Sequence, residues 1–222
     1  MDPKSLAQLF DHTNLKATAT PDDIAKLCDE AVQWQMFGVC VEPWYVSQAH
    51  KRLAQTEVKV VTVVGFPLGA NLTSVKVEEA KAAQASGADE LDWVIAISAM
   101  QAEDYGAVLR DLDALTQFSG VRKVILETCY LKVDAITKLS TEIASREIDF
   151  VKTSTGFGAG GATLEAVQAM KTGIAQTTFP AKIKASGGIR TLADCQTYIE
   201  GGVHRIGASA TVSILKELNL ST

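Results

Sequence analysis

The sequence contains few of the features that mark secreted, metal-binding or membrane proteins. Its 222 residues include four cysteines and three histidines, and they form no C-x-x-C pair and no zinc-ligand spacing. No apolar run approaches the roughly 18 residues that span a bilayer. The first ten residues lack the basic and apolar regions of a signal peptide. We therefore expect a cytoplasmic protein with reduced thiols and no metal site.

The chain also lacks a large excess of charge of either sign. The chain has 21 basic and 26 acidic residues, a net charge of −5, and no run of lysine or arginine. Nothing in this balance favours nucleic-acid or anionic-membrane partners, so we expect a small-molecule ligand. A length of 222 residues with 47% apolar content suits one domain covering residues 1–222, at the short end for an α/β barrel of about 250 residues.

Short apolar, β-branched runs alternate with amphipathic segments, which indicates a parallel sheet with helical crossovers. We interpret the chain as a (β/α)₈ TIM barrel. A doubly wound open sheet is the alternative, since one sequence does not give strand order. The predicted strands are Asp11–Thr13, Val39–Val41, Val58–Val64, Glu90–Ile95, Lys123–Glu127, Phe150–Lys152, Lys182–Ala185 and Arg205–Gly207.

Two amphipathic helices are predicted from apolar spacing, one around Ile24–Val32 and one from Tyr105 to Thr116. Thr20 precedes the first of them and is followed by a proline, which is the pattern of a helix N-cap. The first strand is the weakest prediction. Asp11–Thr13 is assigned as a strand only because a barrel requires an eighth strand there.

Two lysines draw attention because catalytic side chains of α/β barrels lie at the carboxyl ends of strands. Lys152 ends one predicted strand, and Lys184 lies near the end of the next. Neighbouring strands are about 4.8 Å apart, so two inward ammonium groups would lie close together, which is costly unless one loses its proton. Lys182 has the same parity but begins its strand, and we interpret it as a structural or surface charge.

A lowered pKa would make one of these amines a nucleophile. At an ordinary pKa of about 10.4, only about one lysine in 2,500 is neutral at pH 7. Burial and a neighbouring cation both lower that pKa, which is the activation that Schiff-base catalysis needs. The alternative is that Lys152 is a structural lysine paired with a carboxylate at the rim of the barrel.

Two carboxylates are candidates for the same site. Asp92 lies inside an apolar run, where a carboxylate is costly unless it is paired. It is a candidate proton carrier, a partner of Lys184, or a purely structural ion pair. Asp11 ends the first predicted strand, and it is either a turn residue or part of the site.

Glycine-rich loops follow the strands that carry the lysines. Gly187 and Gly188 follow Lys184, a third stretch runs from Gly156 to Gly161, and Ser209 opens the last helix. Loops after the last two strands of barrels often bind phosphate through backbone N–H groups. Turn glycines are common, so any one motif is weak, but together they favour a phosphate site. Arg190 either assists or is an exposed residue at a helix start.

These motifs resemble those of the deoxyribose-phosphate aldolase family over nearly the whole chain. The most specific segments are Val151–Phe157 and Lys184–Ile189. The resemblance implies cofactor-free, reversible cleavage of 2-deoxy-D-ribose 5-phosphate to glyceraldehyde 3-phosphate and acetaldehyde by a barrel that is often a homodimer. It implies that Lys152 forms the Schiff base, that Lys184 lowers its pKa and that Asp92 transfers protons. The implied phosphate contacts are Gly156, Gly187, Gly188 and Ser209. Asp11 and Thr155 are further candidates for binding the substrate.

The chain departs from the family pattern at a few positions. Ala96 replaces an asparagine, Trp93 replaces a residue that is often methionine, and Phe157 replaces a basic residue beside the phosphate. The tyrosine that some longer members carry at the C-terminus is absent from residues 219–222. We therefore expect phosphate binding to depend more on backbone groups.

Two other functions fit the residues less well. One is a phosphosugar isomerase without a covalent step, using Asp92 or Glu127 as a general base. The other is a barrel that binds sugar phosphates without catalysis. A binding protein, however, has no need for two lysines placed side by side.

Overall fold

Eight parallel strands form a closed barrel in the order β1 to β8. The computed structural model describes the backbone of residues 2–220 and the side chains of residues 2–218. Each strand pairs with the next, and β8 pairs with β1. The strands are β1 Phe10–Asn14, β2 Gly38–Val41, β3 Lys59–Val64, β4 Glu90–Val94, β5 Val121–Ile125, β6 Phe150–Lys152, β7 Lys182–Ser186 and β8 Arg205–Ala208.

Helices connect the strands and cover the outside of the barrel. One short helix precedes β1, two lie between β4 and β5, and one follows β8. No helix in the described part of the chain is long and apolar enough to cross a membrane. The helices are α1 Pro3–Ala7, α2 Pro21–Gln33, α3 Val46–Leu53, α4 Thr73–Ala85, α5 Ile97–Gln101, α6 Tyr105–Leu115, α7 Val133–Ser145, α8 Leu164–Ile174, α9 Leu192–Glu200 and α10 Thr211–Leu220.

The barrel prediction is confirmed, and the closure depends on the strand that was least visible in the sequence. β1 lies between β8 and β2 and pairs with both. Its side chains alternate, as they must in a strand. Asp11 is buried among charged side chains of the barrel interior, whereas His12 bonds Glu30 of α2 and Thr211 of α10. The strand therefore anchors two helices and contributes an inward carboxylate.

The fifth strand is displaced from its predicted position. The prediction was Lys123–Glu127, but β5 is Val121–Ile125. Glu127 has a left-handed backbone with φ of 54°, a conformation that ends a strand and is uncommon outside glycine, asparagine and aspartate. Apolar content alone extended the prediction past the true end. The consequence is that Glu127 lies in the loop above the barrel.

Apolar packing fills two separate spaces. The larger cluster lies between the strands and the helices and includes Trp93, Leu112 and Ile206. A small second cluster contains Leu15, Cys40, Val61 and Val63. The second cluster accounts for part of the barrel interior, and charged side chains occupy the space beside it.

The start of α2 confirms that Thr20 is a helix N-cap, as the sequence predicts. Thr20 accepts a hydrogen bond from the backbone of Asp23, and the Asp23 carboxylate accepts one in return from the backbone of Thr20. This capping box satisfies two donors that would otherwise lack partners. We expect Thr20→Ala to reduce the free energy of unfolding by about 1 kcal/mol.

Chemical denaturation measures this loss. Thr18→Ala is the matched control, because Thr18 is exposed in the preceding turn and caps no helix. An equal effect of the two substitutions would contradict the capping role.

Candidate active site

Lys152 and Lys184 are neighbours across β6 and β7, where their Cα atoms are register partners. Both side chains point into the barrel and are almost fully buried. The Nζ atom of each lies 2.7 Å from the same oxygen, Oδ2 of Asp92. The two amines therefore cannot be farther apart than twice that distance, so each is exposed to the charge of the other.

Six ion-pair contacts, including that between Lys184 and Asp92, organise this region. Asp11, Lys184, Asp92, Lys123, Glu90 and Arg205 form a closed cycle in which acids and bases alternate, and we call these six side chains the ion ring. Lys184 contacts Asp11 and Asp92; Lys123 contacts Asp92 at 2.7 Å and Glu90 at 2.5 Å. Arg205 contacts Asp11 at 2.9 Å and Glu90 at 3.5 Å.

Lys152 lies outside this cycle. Each basic member of the ion ring contacts two carboxylates, and the three acids balance the three bases. Among the described residues, Lys152 forms an ion pair with Asp92 alone, and Asp92 also pairs with Lys123 and Lys184. The ring is neutral without Lys152, so a charge on Lys152 would be uncompensated in a buried site, where such a charge is costly. Of these cations, Lys152 is the one whose deprotonation relieves that cost.

The pKa values shift in the directions that this arrangement requires. Burial lowers the pKa of Lys152, and the charge of Lys184 lowers it further, against the opposite effect of Asp92. Burial would also lower the pKa of Lys184, but Asp11 and Asp92 outweigh it and raise that pKa. Burial would raise the pKa of Asp92, yet Lys123, Lys152 and Lys184 hold it well below its usual range. The pKa values of the two adjacent lysines therefore shift in opposite directions. This favours the free amine at Lys152 and the ammonium at Lys184.

Above Lys152 a cavity of about 290 Å³ opens at the carboxyl ends of the strands. It brings together Lys152 and five of the residues predicted to bind substrate or phosphate, namely Thr155, Gly156, Gly187, Gly188 and Ser209. Asn14, Lys16, Phe157 and Arg190 also line it. Lys16 and Arg190 are exposed cations at its rim, so the cavity suits an anionic ligand.

Glycine is required where the two loops meet. A Cβ atom on Gly161 would lie 2.2 Å from the carbonyl oxygen of Gly187. Gly156, Gly187 and Gly188 have φ values of 85°, 86° and 80°, a region that other residues rarely adopt. The glycines allow the loop after β6 to pack on the loop after β7, which leaves backbone groups beside Lys152.

Glu127 holds the loop that follows Lys152. Its carboxylate accepts hydrogen bonds from the hydroxyl group of Thr155 and from the backbone N of Thr155, at 3.2 and 3.3 Å. The Thr155 hydroxyl in turn accepts a bond from the backbone N of Phe157 at 3.0 Å. Burial raises the pKa of Glu127. This buried carboxylate stabilises the loop and does not line the cavity.

The structure also locates the other residues that were singled out in the sequence. Asp11 is fully buried beneath Lys184 and does not line the cavity. Ala96 is the N-cap residue that precedes α5, and it does not line the cavity. Phe157 lines the cavity and packs edge-on against Phe66, with ring centroids 5.3 Å apart. Lys182 is exposed at the start of β7, as predicted. The expected effect of the missing tyrosine concerns residues 219–222 and lies outside the described side chains.

Sequence reasoning missed Lys123, Glu90 and Arg205 as parts of the charged interior. Lys123 and Glu90 begin predicted strands, where charged residues usually face solvent. Their register was the available signal: Glu90 and Asp92 share a strand face, and Lys123 is the register partner of Asp92. The sequence alone does not give this register, because it depends on how the strands pair in the closed barrel.

An uncompensated buried lysine beneath an open cavity, with a carboxylate 2.7 Å away, has the properties needed to form an imine with a carbonyl compound. The fold and site therefore define a barrel suited to covalent catalysis by lysine. Residues 5–218 match the family described as DeoC/LacD family aldolase. The chain belongs to this family.

Relatives named deoxyribose-phosphate aldolase are similar over nearly the whole chain. A deoxyribose-phosphate aldolase from Thermoanaerobacter sp. (strain X514) is 45% identical over 220 residues, with 97% of each chain covered. One from Thermotoga petrophila is 49% identical over 211 residues, covering 93% of this chain and 83% of the relative.

Solved structures agree with this similarity. A putative deoxyribose-phosphate aldolase from Coccidioides immitis superposes with a TM-score of 0.95 and 40% identity, covering 99% of this chain and 87% of that chain. A deoxyribose phosphate aldolase from Aeropyrum pernix, described as a unique tetramer, gives a TM-score of 0.91 and 29% identity, covering 100% and 94%.

The ion ring also predicts how stability depends on pH. Burial would raise the pKa of Asp11, but Lys184 and Arg205 lower it from 3.8 to about 2. Because the folded-state pKa is depressed, the stabilisation is complete above pH 4 and is lost as the pH falls through 2. We expect the wild type to lose about 2 kcal/mol more than Asp11→Asn between pH 5 and pH 2.

Urea denaturation across this pH range measures the difference. Asp22→Asn is the control, since Asp22 is exposed at the start of α2. Parallel stability curves for the wild type and Asp11→Asn would show that Asp11 is not held ionised by the ring.

Proposed function

We propose that this protein is a class I deoxyribose-phosphate aldolase that reversibly cleaves 2-deoxy-D-ribose 5-phosphate to D-glyceraldehyde 3-phosphate and acetaldehyde. The observation that carries the proposal is the position of Lys152, which is buried on the floor of an open cavity and lies outside a charge-balanced ring. Family membership and the names of the relatives support the substrate. The catalytic residues are Lys152, Lys184 and Asp92.

The reaction begins when the neutral amine of Lys152 attacks the C1 aldehyde of the open-chain sugar. The resulting carbinolamine loses water to give a protonated imine, and Asp92 with Lys184 and a water molecule transfers the protons. The C3 hydroxyl then loses its proton, and the electrons of the C2–C3 bond move into the imine. Glyceraldehyde 3-phosphate departs and an enamine remains. Protonation at C2 and hydrolysis release acetaldehyde and restore the amine.

The charged partners of Asp92 suit this role. Asp92 Oδ2 lies 2.7 Å from both lysine nitrogens, so it connects the reacting amine to a lysine that stays protonated. Lys184 supplies the positive charge that favours the free amine of Lys152. Asp11 forms an ion pair with Lys184 and does not line the cavity, so its effect on the substrate is indirect, through Lys184.

The phosphate group is assigned to the glycine-rich part of the cavity. Gly156, Gly187, Gly188 and Ser209 line that region and expose backbone or hydroxyl donors. Oriented backbone N–H groups bind anions well because no side chain blocks the approach. Thr155 also lines the cavity and is expected to contact the sugar. No cofactor is needed for this chemistry.

The isomerase alternative is less well supported. Asp92 has three lysine partners that stabilise its ionised form, which makes it a weak base for abstracting a proton from carbon. Glu127 is occupied by the Thr155 hydroxyl and backbone N. A non-catalytic sugar-phosphate-binding barrel would have no use for a lysine outside a balanced ring.

We also propose that the barrel acts as a single domain, as a cytoplasmic homodimer. Among the described residues the four cysteines are free, which fits a reducing compartment. The tetramer described for the Aeropyrum pernix relative shows that larger assemblies occur among similar chains. Light scattering in solution distinguishes a dimer from a tetramer.

The covalent step gives the most direct test of function. Incubation with acetaldehyde and borohydride is expected to add one reduced two-carbon group to Lys152, and Lys152→Ala is expected to abolish both this adduct and sugar-phosphate cleavage. Mass spectrometry and a coupled assay for the triose phosphate measure the two effects.

Lys182→Ala is the matched control, because Lys182 is an exposed lysine on the same sheet. It is expected to retain both adduct formation and turnover. Cleavage by Lys152→Ala, or an adduct only on another lysine, would refute the proposal.

The phosphate site predicts a separate effect on substrate affinity. Gly161→Ala would place a Cβ atom 2.2 Å from Gly187 O and displace the loop that holds the phosphate. We expect KM for the phosphorylated sugar to rise by about tenfold or more, since small displacements of binding groups are costly. The non-phosphorylated sugar is expected to be affected less.

Gly106→Ala serves as the comparison for this variant. Gly106 lies in α6, and a Cβ atom there would meet its nearest neighbours at 3.4 and 3.5 Å. Equal losses for both sugars in Gly161→Ala would argue against a phosphate site in these loops.

A further inference from the structure

One edge of the ion ring lies outside the lining of the cavity. Arg205 is the first residue of β8 and Glu90 is the first residue of β4. Neither lines the cavity. They are joined at 3.5 Å, and Arg205 stacks on the ring of Phe37 at 3.3 Å. Only 8% of Arg205 and 3% of Glu90 are exposed, so water screens their charges little.

We propose that Arg205 and Glu90 are positioning residues that set, with opposite signs, how readily Lys152 loses its proton. This inference rests on the proposed Schiff-base role of Lys152. Neither residue contacts the reacting atoms. They act through the remainder of the ion ring, because the ring links Glu90 to Asp92 by two ion pairs, through Lys123, and links Arg205 to Asp92 by three, through Asp11 and Lys184.

The sign of each effect follows from the charge balance. Loss of the positive charge of Arg205 leaves the ring with one excess negative charge. Lys152 then keeps its proton more strongly, and Glu90 competes for Lys123, which frees Asp92 to pair with Lys152. Loss of the negative charge of Glu90 has the opposite result. The ring becomes positive, Lys123 depends wholly on Asp92, and the proton on Lys152 is held less strongly.

The other groups around Lys152 do not cancel this control. They come from the remaining elements packed against it and are Asp92 of β4, Lys123 of β5, Lys184 of β7, the Cys40 thiol of β2 and Glu127 in the loop after β5. Burial raises the pKa of Cys40 to about 11, so this thiol is neutral. Glu127 is bonded to Thr155. Asp92, Lys123 and Lys184 belong to the ring and transmit its charge.

The experiment measures the pH at which adduct formation with acetaldehyde and borohydride is half-maximal. Arg205→Met is expected to move this midpoint upward by about one pH unit, and Glu90→Gln to move it downward by about the same amount. This size is expected for the removal of one buried charge that acts on Lys152 through the ion ring, at an effective dielectric constant of about 20. Arg205→Lys keeps the charge and is expected to stay near the wild-type midpoint.

The double variant Arg205→Met/Glu90→Gln separates charge from structural damage. Removal of both charges leaves the ring balanced, so the midpoint is expected to return to within about 0.3 pH unit of the wild type. Destabilisation, in contrast, would accumulate in the double variant. Far-UV circular dichroism and denaturation verify that each variant is folded at the pH of the assay.

Lys76→Met provides a control for the loss of a buried ion pair. Lys76 pairs with Asp111 at 2.6 Å between helices, outside the barrel. We expect this substitution to reduce stability and to leave the midpoint unchanged.

Midpoints that move in the same direction in both single variants, or a double variant that stays shifted, would overturn the inference. So would unchanged midpoints in folded single variants. Failure of the wild type to form any adduct would instead refute the proposed function. If Arg205→Met does not fold, Glu90→Gln and the double variant still decide the question, because only charge control predicts a downward shift that the second substitution reverses.

Discussion

The structure depends on a balance of buried charge inside the barrel. Three carboxylates and three cations form a closed cycle, and each of its bases contacts two of its acids. Burial of so many charges is tolerable only because each one is compensated. Lys152 is added to a cycle that is already complete. The same compensation that stabilises the ring therefore leaves Lys152 without a charge partner of its own.

The fold provides this balance through strand register and strand closure. Inward positions of neighbouring parallel strands lie at similar heights, so Lys152 and Lys184 meet across β6 and β7 and Asp92 meets Lys123 across β4 and β5. Asp11 and Arg205 join the cycle because β1 closes against β8. An open sheet would separate these two edges. The ion ring can therefore form completely only in the closed barrel.

The loops complete the site by leaving space above Lys152. Gly161 and Gly187 approach each other too closely for side chains, and Glu127 fixes Thr155 from behind. The rigid lower part of the barrel sets the chemistry of the amine, while the glycine-rich upper part forms the binding surface.

Much of this arrangement was predictable from sequence, because strand ends are visible as apolar runs that stop at polar residues. Lys152, Lys184 and the glycine loops follow that rule. Glu127 does not, since its backbone is left-handed and β5 ends at Ile125, two residues before the predicted end of the strand. Arg205, Glu90 and Lys123 were missed because their importance comes from contacts between strands far apart in the chain. Burial also proved to be the first cause of the lowered pKa of Lys152, ahead of the charge of Lys184.

The central claim is that two adjacent buried lysines hold different protonation states. NMR titration of the lysine side-chain nitrogens, with signals assigned from Lys152→Gln and Lys184→Gln variants, tests it most directly. The account predicts that Lys152 becomes neutral well below the ordinary lysine value of about 10.4, while Lys184 remains protonated throughout the range in which the protein is folded. Titration of both nitrogens near the ordinary value, or loss of the Lys184 proton first, would contradict it.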